Sequence, residues 1–161
     1  MRPMTELAIR GSFVNCTKGE ARRLPIPKDL DERPWHDLDF LGWQDPSATQ
    51  RAYLVAESDP GLVGVALRVA TQQGHIRRSM CSICLTTHTG NGVSLMTARK
   101  AGPNGRLGNS VGIYACTDLA CSLYLRGQKK AGRHLDETLT LSARIERTTT
   151  NLAAFLHKIL S

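Results

Sequence analysis

The apolar positions of this chain fall into short clusters separated by polar and Gly- or Pro-rich stretches, and the spacing inside each cluster predicts its element. Leu7, Ile9 and Phe13 mark a short helix from Thr5 to about Asn15, weakened by Gly11. Thr17-Lys18-Gly19-Glu20 carries a capping-box pattern, in which hydroxyl and carboxylate each accept a backbone N–H, and predicts a second helical turn through Arg23. Pro25, Pro27 and Pro34 lack the N–H a helix needs, so the chain should then run extended. Phe40–Trp43 predicts a first strand, stopped at Asp45-Pro46. Arg51–Ala56 and Leu62–Val69 predict a hairpin across the turn formers Glu57 to Gly61.

The second half continues the pattern after a polar linker, Thr71 to Ser79. Gly90-Asn91-Gly92 marks a turn into a strand, Val93–Ala98. A glycine-rich loop, Ala101 to Asn109, precedes a returning strand, Ser110–Ala115; it lacks the Gly-Lys-Ser/Thr ending of a P-loop and is expected to be a hairpin tip. Asp118 is placed to cap a helix through Leu125, stopped by Gly127, and Thr140 to cap a longer one ending near Leu160. Leu141, Ile145, Leu152, Phe155, Leu156 and Ile159 form the apolar face of that last helix. Together these elements predict an α+β fold, a small and mostly antiparallel sheet with flanking helices. There is no internal repeat and no low-complexity segment.

Composition narrows the class. With 161 residues, 41% hydrophobic and 22% charged, the chain matches one globular domain spanning 1–161, which excludes disorder throughout. No apolar run approaches the roughly 20 residues of a bilayer span, and Met1 to Glu6 lacks the apolar core of a signal peptide. The expected location is the cytoplasm, with no membrane partner; five cysteines, an odd number, suit a reducing compartment.

Four of those cysteines form two pairs, Cys81-x-x-Cys84 and Cys116-x-x-x-x-Cys121. Two close thiol pairs can supply the four soft, tetrahedral ligands of a structural zinc site, leaving no position open for water. The order is a tight turn, a hairpin, and then a helix whose N-terminus favours a thiolate, which is the treble-clef arrangement. Reduced structural cysteines or a Cys-x-x-Cys redox dithiol remain open as alternatives. His88 could compete as a ligand, but with the shell complete it is expected beside the site. Cys16 stands alone and is expected to be inert; the remaining histidines share no spacing. Tyr114 and Tyr124 could stack on bases, but a core role is expected of both.

Charge is uneven in a telling way. Residues 1–76 hold nine basic and ten acidic residues, and 134–161 hold three of each. Residues 77–133 hold nine basic residues and one acid, Asp118, a net +8 in the stretch that carries the cysteine pairs. Such a surface attracts phosphate backbones or an acidic protein face. Arg77, Arg78, Arg126, Lys129, Lys130 and Arg133 are the candidate contacts.

The segments Arg78–His88, Gly108–Ser122, Phe13–Cys16 and Asp39–Trp43 resemble the elongation-factor-G-binding (FusB-type) proteins in their actinobacterial branch, the cysteine-bearing pair being similar to the family's C-terminal treble-clef domain. The resemblance implies a single zinc-binding domain with its finger at about 77–133, and Cys81, Cys84, Cys116 and Cys121 as ligands of a structural Zn²⁺. It implies no enzyme but a binder of elongation factor G or the translating ribosome. In the fusidic-acid-resistance members such binding helps release the factor from the stalled ribosome. Those members carry a separate N-terminal helical domain, for which this chain has little room. The alternative is a zinc-finger protein that binds ribosomal or other RNA through the basic 77–133 surface.

Overall fold

Period-two alternation along the strands sorts the molecule into two layers on one sheet. In the computed structural model, which describes residues 1–71, 78–132 and 137–161, the chain order is α1 (Glu6–Gly11), α2 (Lys18–Arg23), two 3₁₀ turns (Leu30–Glu32 and Trp35–Asp37), β1 (Leu41–Asp45), β2 (Ala48–Ser58), β3 (Gly61–Val69), β4 (Ser79–Met80), β5 (Thr87–His88), β6 (Val93–Arg99), α3 (Gly102–Arg106), β7 (Ser110–Cys116), α4 (Cys121–Leu125) and α5 (Leu141–Leu160). Five strands form one antiparallel sheet in the order β1-β2-β3-β6-β7, and β4 pairs with β5 in a separate ribbon. The α+β expectation holds.

One sheet face presents Leu54 of β2, Val65 and Leu67 of β3 and Met96 of β6 to Leu152, Phe155, Leu156 and Ile159 of α5, and the four paired cysteines belong to this core. The other face presents Leu41 and Trp43 of β1 and Tyr53 and Val55 of β2 to Ile9, Leu24, Trp35 and Leu38 of the N-terminal segment. That segment is stitched into the sheet. Strands β3 and β6 pair only from Leu67 to Val69, and the chain at Ser12–Asn15 enters the split between them. Val14 N–H donates to Gly64 O, Gly64 N–H to Ser12 O, and the Asn15 side chain both donates to Ala66 O and accepts from Ala66 N–H. A Cβ on Gly64 would lie 2.4 Å from Ser12 Oγ, so the close passage requires glycine.

The capping box at Thr17 and the cap at Thr140 form as the sequence predicts, and Thr5 caps α1 in the same way: each hydroxyl accepts from the N–H three residues on. Other expectations are corrected. Helix α1 ends at Gly11, so Phe13 packs edge-on against Trp43 and Tyr53 instead of lying on a helix, and Leu7 is 83% exposed. The proline stretch contains two 3₁₀ turns, the second anchored by Trp35 Nε1–H donating to Leu30 O. The glycine-rich loop contains α3, which Pro103 can enter because N–H groups in a first helical turn need no partner. Leu119 adopts a left-handed conformation (φ 55°), so α4 starts only at Cys121; Asp118 instead accepts from Ala120 N–H. Tyr114 and Leu141, expected in the core, are exposed. Most of the predicted linker and two candidate contacts, Arg77 and Arg133, lie outside the described residues.

Candidate metal centre

Each pair of cysteines arrives through a backbone reversal. After β4 the chain turns at Cys81–Cys84, with Leu85 N–H donating to Cys81 O and Cys81 N–H to Thr86 O. Leu85 has φ 58°, and with Leu119 it is one of two non-glycine residues described at positive φ. Such conformations are uncommon for Leu and persist only where the surroundings enforce them; here one directly follows the first cysteine loop and the other lies inside the second. Cys116 ends β7, and Cys121 opens α4. The turn is held from outside as well. Ser82 N–H donates to Tyr114 O on β7, and Asn151 of α5 donates to Ile83 O.

These reversals bring all four sulfurs within 4.8 Å of one another. Cys81 Sγ lies 3.7 Å from Cys121 Sγ, and Cys84 Sγ lies 3.6 Å from Cys116 Sγ. A tetrahedron with metal–sulfur bonds of about 2.3 Å has edges of roughly 3.8 Å, so the donor set fits one metal ion of that kind. The N–H groups of Ile83 and Cys84 both point at Cys81 Sγ, at 3.3 and 3.4 Å, as they would toward a thiolate. The Cys81 thiol is accordingly held well below its ordinary pKa by hydrogen bonds from Cys116, Cys121 and Cys84. The Cys121 thiol is pushed far up by the same contacts, first with Cys116, and by burial. Four adjacent thiolates cannot coexist without a cation to balance them, and a divalent metal supplies that balance.

This geometry speaks against a redox dithiol. The sulfurs form one cluster in which each loop faces the other, and all four cysteines are at most 2% exposed, whereas redox thiols need solvent access. His88 lies beside the site: its Nε2 is 3.2 Å from Cys116 Sγ, and burial keeps its ring neutral, so with the proton on Nε2 it donates to that sulfur. The ring is clamped edge-on to Tyr124, 4.7 Å between centroids, and against Gly92, where a Cβ would lie 2.5 Å away. The Tyr124 hydroxyl and Lys129 ammonium both donate to Asp118 Oδ2. The shell around the sulfurs is therefore itself fixed.

The candidate contact residues separate. Arg78 and Lys130 are exposed, and Lys130 makes no ion pair among the described residues. Lys129 is tied to Asp118. Arg126 is committed to the interior: its guanidinium grips Asp39 bidentately at 2.7 and 3.0 Å, with Asp37 at 3.9 Å, and the Asp39 hydrogen bonds raise its pKa. Its side chain is 13% exposed, so it joins the finger to the N-terminal layer instead of facing solvent. No local signal could have shown this, because the partner lies 87 residues away in sequence. Cys16 is half-buried, and burial together with the Glu20 charge pushes its thiol up, away from nucleophilic character. A cavity of about 380 Å³ opens beside the finger, lined by Leu85, Tyr124, Lys129, Lys130, Glu137 and Arg144 among others. Among the described residues no helix is long and apolar enough to cross a membrane.

Comparison with known proteins agrees with this geometry. The model of a family described as FBP C-terminal treble-clef zinc-finger matches residues 8–159. No curated protein matches the chain significantly. Among solved structures, that of the fusidic acid resistance protein FusC matches with a TM-score of 0.55 and 18% identity, covering 88% of this chain and 54% of that one. The chain thus spans about half the length of that structure, and at this identity the likeness is one of fold.

Proposed function

The chain belongs to the FBP C-terminal treble-clef zinc-finger family, and from that premise we propose that it is a non-enzymatic, zinc-stabilised binding protein whose partner is elongation factor G, met free or on the translating ribosome in the cytoplasm. The family match over residues 8–159 is the observation that carries the reading, and the fold shared with a fusidic acid resistance protein supports it. Cys81, Cys84, Cys116 and Cys121 hold the zinc as thiolates. Bound there, the metal supplies a cross-link and charge balance; four protein sulfurs complete its shell, so it offers no open position for a substrate.

The chain's own residues do the rest. Asn151 and Ser82 hold the first cysteine turn against α5 and β7, and His88 donates to Cys116. The finger is thereby a rigid platform, and rigid platforms bind with less entropy lost on association. Exposed Arg78 and Lys130, with Lys129 and Tyr124 around the neighbouring cavity, form the face we assign to the partner. A mixed face of this kind draws acidic protein surfaces by long-range attraction and holds them by local packing. Promotion of factor release in the manner of the resistance proteins is the activity this reading leads to.

The test is direct. Zinc-loaded protein mixed with purified elongation factor G at micromolar concentration and low salt should give a complex by calorimetry or gel filtration, and metal-stripped protein should not. Absence of a complex with the zinc-loaded protein would refute the proposal.

A further inference from the structure

Residues 1–76 are close to neutral along the sequence, yet the fold gathers three of their arginines with one from β6. The sheet face opposite α5 is covered by the N-terminal layer only in part. Where that cover ends, Arg51 of β2, Arg68 of β3 and Arg99 of β6 line the floor of an open cavity of about 640 Å³, with Arg23 of α2 at its wall. Arg51 and Arg68 are direct cross-strand partners, so their side chains rise from the same face. Arg68 in turn pairs with Thr97, one same-face step from Arg99. Like charges directly opposite one another destabilise a strand pair.

Glu20 lies near Arg23 and Arg99 and answers these charges only in part. Among the described residues, none of the four guanidinium groups makes an ion pair. The two acids that reach the cavity are engaged elsewhere. Glu20 accepts the Thr17 N–H at 2.7 Å to close its capping box. Asp45 is buried and accepts from the Tyr53 hydroxyl and the Ser47 N–H, each at 2.9 Å. Glu20's carboxyl lies below its ordinary range, first through the Thr17 hydrogen bonds and then through the charges of Arg99 and Arg23, which places both cations near the same point.

We propose that this cavity binds adjacent phosphate groups, at a site separate from the basic surface beside the finger. Guanidinium forks match phosphate oxygens two at a time, four of them converge here, and a concave volume of this size suits a compact ligand. An anion seated there would also offset the like charges that the register sets opposite one another at Arg51 and Arg68. Adjacent phosphates occur in a free phosphorylated small molecule and along an RNA strand, and both present the same chemistry to these side chains.

The experiment titrates the zinc-loaded chain at low salt with inorganic pyrophosphate and, separately, with a short single-stranded RNA. Saturable binding of at least one probe is expected. The double variant Arg51→Gln with Arg68→Gln should weaken that binding at least tenfold while zinc content stays the same and the melting temperature stays level or rises, since a like-charge pair has gone. Pyrophosphate binding identifies a free phosphorylated ligand. RNA binding alone, falling with salt by a log–log slope of roughly 0.7 per phosphate contacted, identifies a strand. If neither probe binds, or if the double variant binds as tightly as the parent, the proposal is overturned.

Discussion

On one side of the sheet, the finger is assembled from two-residue strands and a five-residue helix, gathered around four sulfurs. On the other, two six-residue helices and two three-residue turns are gathered around aromatic rings. All of these pieces are too short to persist alone. The finger solves this with one shared centre, in which each ligand is needed by the other three. The N-terminal layer solves it with many modest anchors. Trp43 Nε1–H donates to Pro25 O, Arg10 donates to the carbonyls of Ala21, Arg22 and Leu24 at the end of α2, and Phe13, Trp43 and Tyr53 stack in a T-shaped and tilted cluster. The contrast teaches that short elements can be stabilised all at once or by degrees, and that the two modes should fail differently.

Metal removal should give the largest effect. Structural zinc contributes on the order of 10 kcal/mol of apparent binding energy, comparable to the stability of a whole domain. Chelation, or Cys116→Ser, should therefore abolish amide protection across residues 78–132, read by hydrogen exchange with mass spectrometry. Protection that survives intact in the variant would show that the sulfurs do not act as one unit.

The aromatic layer should instead yield gradually. Trp43→Ala removes a buried indole, 6% exposed in the parent, and should cost about 4 kcal/mol by denaturant unfolding while metal stoichiometry stays unchanged. Zinc lost along with Trp43 would mean that the two layers form a single cooperative unit.

The joint between the regions comes next. Arg126→Ala leaves the Asp39 carboxylate, 8% exposed, without its partner, and should cost about 3 kcal/mol, as removal of one member of a buried pair does. Adding Asp39→Asn should recover part of that loss, since the stranded charge is then gone; a fully additive double mutant would deny the coupling.

The smallest structural effect is expected at Lys130, which is exposed and makes no ion pair among the described residues. Lys130→Glu should change stability by less than about 0.5 kcal/mol yet weaken the proposed complex with elongation factor G. Lys129→Glu is a poorer probe of the surface, because it would set a second carboxylate beside Asp118. Unaltered affinity in Lys130→Glu would remove this residue from the contact face.

Much of this arrangement was legible in the residues themselves because it depends on local rules. Thr17 and Glu20 lie at the spacing of a capping box, and the box forms. Leu152, Phe155, Leu156 and Ile159 recur at helical spacing, and they are the buried face of α5. The cysteine pairs have metal-ligand spacing, and their sulfurs cluster. What misled is also local: Phe13 and Leu7 fit a helical pattern, but the chain leaves α1 at Gly11 to enter the sheet, because the open edge of β3 offers Gly64 N–H and O as partners. Likewise nothing near Leu119 announced a left-handed residue that delays α4 to Cys121.

By itself, then, the sequence determined most of the elements, the two cysteine pairs and a basic middle segment, since hydrophobic period, capping chemistry and ligand spacing act over a few residues. Only the tertiary structure decided which charges are free. It buried Arg126 against Asp39, tied Lys129 to Asp118, and brought Arg23, Arg51 and Arg68, from a region whose charges cancel along the chain, around one cavity with Arg99. The physical reason is distance. Electrostatic interaction depends on separation in space, and strand pairing sets Arg51 opposite Arg68 without regard to how many residues lie between them.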